Sequence, residues 1–251
     1  DETASKRGHN YVTVFIDLDA RQKPVVFVTP GKGKACLGRF RDFLASHGGE
    51  PGRIAEVVCD MSPAFLAAIG ETFEGATVTV DWFHVVQLFT RAVDEVRKAE
   101  AKQTKMPKAL RWAVLKAADG RLTEKQAAAL AELEATDLLT AKAWRIKEKL
   151  RWIRKAETVQ AARWRITSFI RHAHECIGDE AVLEPVRKAL RTFEKHLERI
   201  LQRWTSTHNN ARIEGLNGLF QAARARARGY RNTTTFITMI YLIAAPIGHI
   251  L

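Results

Sequence analysis

An α/β fold, in which a strand-rich region gives way to a long helical one, is what this 251-residue chain predicts, and two features of it carry the prediction. The first eighty or so residues alternate β-branched and aromatic runs with turn signals, whereas roughly the next hundred and twenty contain almost nothing that reads as strand. The shift falls near residue 82. At 46% hydrophobic residues, the chain can bury a substantial core in one or two domains.

Each element follows from local chemistry. YVTVFIDLDA, 11–20, is β-branched and aromatic and ends in a turn at ARQK. PVVFVTPG, 24–31, answers it as the antiparallel partner of a hairpin. GKACLGRFRDFLASHGG, 33–49, has apolar residues at 37, 40, 43 and 44 and stops at a glycine pair, as an amphipathic helix does. AEVVCD, 55–60, reads as a short, fully apolar strand ending in Asp60; Ser62 is then placed to cap a helix with Pro63 in its first turn. ATVTVDWFHVV, 76–86, is a strand that runs out at Asp81 and enters a long helix.

From Val85 to Trp204 the reading is helical, with breaks at KMPK, DGRLT, EATD and IGDE. Trp112, Trp144, Trp152, Trp164 and Trp204 are interleaved there with lysines and arginines. Helix-bundle core is their expected place; a phosphate-binding surface, with one or two rings stacking on unpaired bases, is the functional alternative. NNARIEGLNGLF, 209–220, is helical again: Ile213, Leu216, Leu219, Phe220 and Ala223 give an apolar stripe. Beside it Asn210, Glu214, Asn217 and Gln221 follow at steps of four, three and four, a row that continues to Arg224 and Arg228. The final apolar run, FITMIYLIAAPIGHIL, is broken by Pro246 and reads as a packed C-terminal helix.

Composition narrows the partners. A net charge of +12 and a pI near 9.9 imply a positive field suited to polyphosphate. No apolar run reaches the ~18 to 20 residues of a spanning helix. Cys36, Cys59 and Cys176 are too few and dispersed for a disulfide framework or zinc ribbon, so a reducing cytoplasm is expected. Lys32 and Lys34 in PGKGK lack the Gly-x-x-x-x-Gly-Lys-Ser/Thr pattern, so no nucleotide cofactor is expected. The chain opens on DET with no initiator methionine, which points to a piece of a longer protein. Asp60 ends a buried strand, Glu214 sits on a late helix beside asparagines and Asp1 precedes the TASKRGHN turn into the first clear strand; clustered, such acids are like charges that a divalent cation such as magnesium would offset.

Taken together, DE at the start, YVTVFIDLD, VVCDMSPAF, VDWFH, NNARIEGLNG and RARGYRN resemble the catalytic domain of ISL-three-type insertion-sequence transposases, over nearly the whole chain. The resemblance implies an RNase H-like mixed sheet core, as in retroviral integrases, assembled from residues 1–84 and 206–251. Residues 85–205 would be an all-helical insertion between the second and third catalytic acids, contacting DNA. Position by position, Asp1, Asp60 and Glu214 take the places of the catalytic acids and metal ligands for Mg2+ or Mn2+, two ions in all. Asn210 and Asn217 would orient Glu214 or contact DNA. Asp17 or Asp19, two apart on one strand face, is the competing first ligand.

Asp81 and His84 form a D-x-x-H that resembles a motif found after the second acid in several transposase superfamilies, where it would brace the site; a capping Asp and a core-edge His is the alternative. Arg224, Arg226, Arg228 and Arg231 would grip phosphates, or simply form a solvated basic helix end before Gly229. The implied activity is metal-dependent nicking at the end of a mobile element, followed by attack of the released 3′ hydroxyl on a second phosphodiester. The implied partners are element and target DNA and further copies of the chain assembled on DNA, on the nucleoid of a bacterial cytoplasm and with no membrane. Family members carry zinc-binding and helix-turn-helix segments upstream, so little sequence preference is expected of this region. A catalytically silent DNA-binding relative and a nuclease without joining activity are the rival readings.

Overall fold

The computed structural model describes residues 1–6, 8, 10–116, 122–206, 208 and 211–246. They divide into two compact units, one formed by Asp1–Asp81 with the segment from Ser206 onward and the other by Trp82–Thr205.

The first unit holds all the strands among the described residues: β1 (Glu2–Ala4), β2 (Tyr11–Ile16), β3 (Val25–Pro30), β4 (Glu56–Cys59) and β5 (Thr77–Val80). β2 and β3 form the expected hairpin, with a register slip at Phe15/Ile16, and β1 pairs antiparallel on the other edge of β2. Part of β1 falls in TASKRGHN, 3–10, a stretch that reads as a turn. Three residues are too few to display alternation, and the strand is held by β2 and by Asp1, whose backbone bonds Val14 in both directions. β4 and β5 are parallel. A single mixed sheet was expected; among the described residues there are two small ones, with orders β1-β2-β3 and β4-β5.

Helices cover both faces. α1 (Lys34–Ser46) and α2 (Pro63–Thr72) bury Leu37, Phe65, Ala68 and Ile69 with Phe73, and Phe15, Phe40, Val57 and Val78 pack against that cluster. The hairpin's other face, through Val12, Val14, Val25 and Val28, packs on Ile213 and Phe220 of α10 (Ala211–Arg226) and on Phe236 and Ile240 of α11 (Thr233–Ala244). Strand alternation sends Val14 to one layer and Phe15 to the other. β3 is a sheet edge, and its Val28 N–H donates to the Tyr241 hydroxyl at 2.8 Å, which removes one unpaired edge donor. The expected apolar stripe of α10 holds at Ile213 and Phe220, but Leu219 is 55% exposed, one position too far around the helix to reach the sheet. β4, expected to be fully apolar and buried, is only half-buried along its length.

The second unit is helical throughout its described residues. α3 (Trp82–Glu100), α4 (Lys108–Leu115), α5 (Glu124–Glu134), α6 (Leu139–Arg154), α7 (Val159–Ile177), α8 (Glu184–Lys195) and α9 (Leu197–Leu201) run in that order. The breaks at KMPK, EATD and IGDE fall between helices as expected; most of DGRLT lies outside the described residues. Two further breaks, at Ala156 to Thr158 and at His196, have no glycine or proline; Thr158 makes the first by accepting a hydrogen bond from Ala161 N. At its centre Phe89, Phe169 and Phe193 form a mutually edge-on trio, with centroids 5.5–5.9 Å apart.

Glu100, at the end of α3, caps α6 from a distance. Its two carboxylate oxygens accept from the Leu139 and Thr140 backbone N–H groups at 2.8 and 2.9 Å, and from the Thr140 hydroxyl at 2.6 Å. These are charge-assisted bonds to otherwise orphaned helix N–H groups. Glu100→Ala is therefore expected to destabilise the second unit by about 2 kcal/mol, read as a lowered midpoint in urea; an unchanged midpoint would show that water replaces the carboxylate.

Candidate active site

The polar row predicted on α10 faces β1. Asn217 Nδ2 donates to Asp1 Oδ2 at 2.8 Å, Gln221 Nε2 donates to Thr3 Oγ1 at 2.7 Å and to Ala4 O at 3.0 Å, and Arg224 Nη1 donates to Ala4 O at 2.8 Å. The geometry explains the pairing. Four helical residues advance about 6 Å and two strand residues about 6.6 Å, so a helix running in the direction of β1 meets it side chain for side chain. Glu214, exposed in the first turn of α10, is the preceding member of that row. Asn210, the row's predicted first member, lies outside the described residues.

Asp60 reaches the same region from β4. The parallel register sets Cys59 opposite Val80, and Asp81 N continues the ladder to Cys59 O at 3.1 Å, so Asp60 and Asp81 leave the same carboxyl end of the two strands. Asp60 Oδ1 accepts from Ser62 N at 2.8 Å. Ser62 is the residue before α2, yet its own side chain makes no capping bond; Asp60 closes the turn instead.

Electrostatics ties β1 to Asp60. The Glu2 carboxyl is raised, first by burial, then by Asp60, against the Asp1 amino group and Lys32, which lower it. Strand alternation divides the two acids: Asp1 turns toward α10, while Glu2 feels Asp60. Pointing away from Asp1 is what brings Glu2 within the influence of Asp60.

The remaining expected residues take defined places. Asp17 Oδ1 accepts from Asp19 N, closing the turn after β2, and Asp19 pairs with His208. Arg224 is half-buried on Ala4 O, whereas Arg226, Arg228 and Arg231 are exposed. α10 ends where Arg228 and Gly229 take positive φ, 54° and 93°, and Gly229 N reaches back to Arg224 O. His84 is half-buried in the first turn of α3, its ring edge-on to Phe83.

Two residues without a motif anchor the start of α10. Arg212 donates to the carbonyls of Ala20 and Arg21. His208 bridges two elements, with Nδ1 at 3.2 Å from Glu56 Oε2 and Nε2 at 3.0 Å from Asp19 Oδ1. Hydrogen bonds to Asp19 and then Glu56 raise the His208 pKa. Burial presses Glu56 upward, but bonds from Ser206, Thr79 and His208 hold it below the usual carboxylate value. The bridge's stabilisation is thus present below the ordinary histidine value of about 6.5 and lost as pH rises through the raised His208 value; at the acid end it fades as pH falls through the lowered Glu56 value. His208→Gln is expected to lower the Tm of the first unit at pH 6 and to matter less at pH 9; an equal loss at both would show that the imidazole charge contributes nothing.

The donor chemistry at the β1, β4 and α10 ends is all oxygen, which suits a hard cation such as Mg2+. Asn217 also holds a buried Oδ1 with no partner among the described residues, beside the Asp1 carboxylate. Among the described residues no three His, Cys, Asp or Glu side chains enclose a common point. The donors are thus of the kind a divalent ion takes, and Asp1 and Asn217 are the directly linked pair, but among the described residues the expected acids Asp1, Asp60 and Glu214 do not close on one point. No described helix is long and apolar enough to cross a membrane.

A family model described as transposase, of the ISL-three type, matches residues 1–240. Over 254 aligned residues the chain is 30% identical to the transposase for insertion sequence element IS1001 of Bordetella parapertussis, covering 96% of this chain and 59% of that protein. It is also 30% identical over 181 residues to the transposase for IS1557 in two strains of Mycobacterium tuberculosis, covering 61% of this chain and 40% of theirs. The chain therefore spans about three fifths or less of these relatives. No solved structure matches it.

Proposed function

The chain belongs to the ISL-three transposase family matched over residues 1–240, and we propose that it is the catalytic region of an insertion-sequence transposase, which nicks DNA at the end of a mobile element and joins the released 3′ hydroxyl to another site. The observation that carries this reading is the bond from Asn217 to Asp1, which ties the helix of the family's glutamate to the strand of its first acid. The influence of Asp60 on Glu2 adds the second acid's strand.

In this reading the first unit is an RNase H-like core, and Trp82–Thr205 is an insertion between the second and third acids. Two helical layers over the strands support it. Asp1, Asp60 and Glu214 would hold Mg2+ or Mn2+, two ions in the complete site. When bound, such ions supply an activated water and stabilise the leaving oxygen. Asn217 orients Asp1, and Asp60 keeps one oxygen on Ser62 N while presenting the other. Arg226 at the end of α10 and Arg228 and Arg231 beyond it are exposed and would bind phosphates, and Asp81 would brace the site. Copies of the chain would assemble on DNA at the nucleoid.

Calorimetric titration with Mn2+ tests the reading against an Asp60→Asn, Glu214→Gln double variant. Binding by the parent chain that the variant loses is expected, and strand-transfer products would then separate a transposase from a nuclease. Equal heats from both proteins would remove these acids from the metal site and favour a catalytically silent DNA-binding relative.

A further inference from the structure

We infer that the α6–α7 face of the helical unit is a stacking site for an unpaired nucleotide of DNA, with Trp164 and Trp152 as its platform. The inference rests on the DNA reading above and assigns a ligand to a surface that reading leaves undefined.

The two rings are out of place as core. α7 buries Ala162, Ile166, Phe169 and Ala173, a row at steps of four, three and four. Trp164 falls opposite that row and is 66% exposed. On α6, Leu150 and Ile153 are buried while Trp152 remains 37% exposed. Of the tryptophans expected in the core, Trp144 is buried, and Trp204 is half-buried with its Nε1 on Ala156 O. A lone exposed apolar residue needs no explanation, but two large rings in contact on the solvent face do. Trp152 and Trp164 meet edge to face at 5.6 Å.

The pair is also fixed. The Arg165 guanidinium sits 5.2 Å from the Trp152 ring centroid, and its Nη1 donates to Trp152 O at 2.7 Å. Beside them is a hollow of about 240 Å³ lined by Lys149, Trp152, Ser168 and Phe169. A preset aromatic surface needs no ordering when a ligand arrives, and an aromatic face accepts any base.

Charge selects the partner. Residues 82–205 carry 26 lysines and arginines against 16 acids, so +10 of the chain's +12 lies in this unit. Between Lys142 and Arg171 there are ten basic residues and two acids, of which Glu148 is already paired with Lys147 and Arg151. A second copy of the same face would bring like charge against like. A phosphodiester chain brings the opposite charge together with bases that stack, and an unpaired base offers the π-face that duplex DNA keeps within its own stack.

The test uses the whole chain with two labelled DNAs, a blunt duplex and the same duplex bearing a short single-stranded thymidine tail. The parent chain is expected to bind the tailed DNA about tenfold more tightly, with quenched tryptophan fluorescence. Trp164→Ala, a change at an exposed position, should reduce the tailed DNA to the affinity of the blunt one, and Trp164→Phe should keep most of the difference. Equal affinity for the two DNAs, or a preference that survives Trp164→Ala, overturns the stacking site while leaving the transposase reading intact. Failure to bind either DNA overturns both. A Trp164→Ala chain whose self-association changes in sedimentation while its DNA binding does not would assign the face to a protein partner.

Discussion

Glu214→Gln lowers strand cleavage by on the order of 10³-fold or more while the chain still folds and still binds DNA. The substitution keeps the shape of the side chain and removes only its charge. Glu214 is exposed on the first turn of α10, where a carboxylate interacts favourably with the helix dipole. Loss of that interaction costs at most about 1 kcal/mol, too little to unfold the unit. A large fall in cleavage with an unchanged Tm therefore separates a chemical role from a structural one. The measurement is nicking of a labelled duplex in Mn2+, beside the melting curve of the same sample. Cleavage retained within a few-fold would reduce Glu214 to a dipole-compensating surface residue, and Glu2, whose carboxyl burial and Asp60 raise, would become the next to test.

How far the sequence could be read depended on whether a contact was local. The hairpin, α1, α2 and the β4 end at Asp60 are written in alternation, glycine stops and a proline in the first helical turn, each within about a dozen residues. The α10 row was legible for the same reason: Asn217, Gln221 and Arg224 share a face by spacing alone, and the structure supplies only their partners on β1. The bridge from His208 to Asp19 and Glu56 joins residues 189 and 152 positions apart, and no local pattern marks it. The tryptophans misled for a different reason. Helical periodicity says that a face exists, but where basic residues alternate with Trp on every side it does not say which face is inward. Trp112, 53% exposed, and Trp164 were expected in the core on composition, although the Ala162, Ile166, Phe169 row already placed Trp164 opposite it.

Phe193→Ala is expected to destabilise the helical unit by about 4 kcal/mol, the largest effect on stability foreseen for a single truncation. Phe193 is fully buried and is one of three phenylalanines that meet edge-on, with Phe89 of α3 and Phe169 of α7. Truncation therefore removes the ring's own burial, leaves a cavity between three helices that short loops keep from collapsing, and breaks two aromatic contacts at once. The chain provides its own reporter. All six tryptophans lie between Trp82 and Trp204, whereas the tyrosines, Tyr11, Tyr230 and Tyr241, lie in the other unit. Tryptophan fluorescence in urea thus follows the helical unit alone, and circular dichroism follows both. If the units unfold independently, Phe193→Ala moves the fluorescence midpoint to lower urea and splits the dichroism curve, leaving an unshifted part from the strand-bearing unit. If they unfold together, both signals move by the same amount, and the helical unit is then an energetic support for the strands that carry Asp1 and Asp60 as well as a surface for DNA. A loss below about 1 kcal/mol would mean that the trio relaxes to fill the gap, and that the unit's stability lies in its outer contacts.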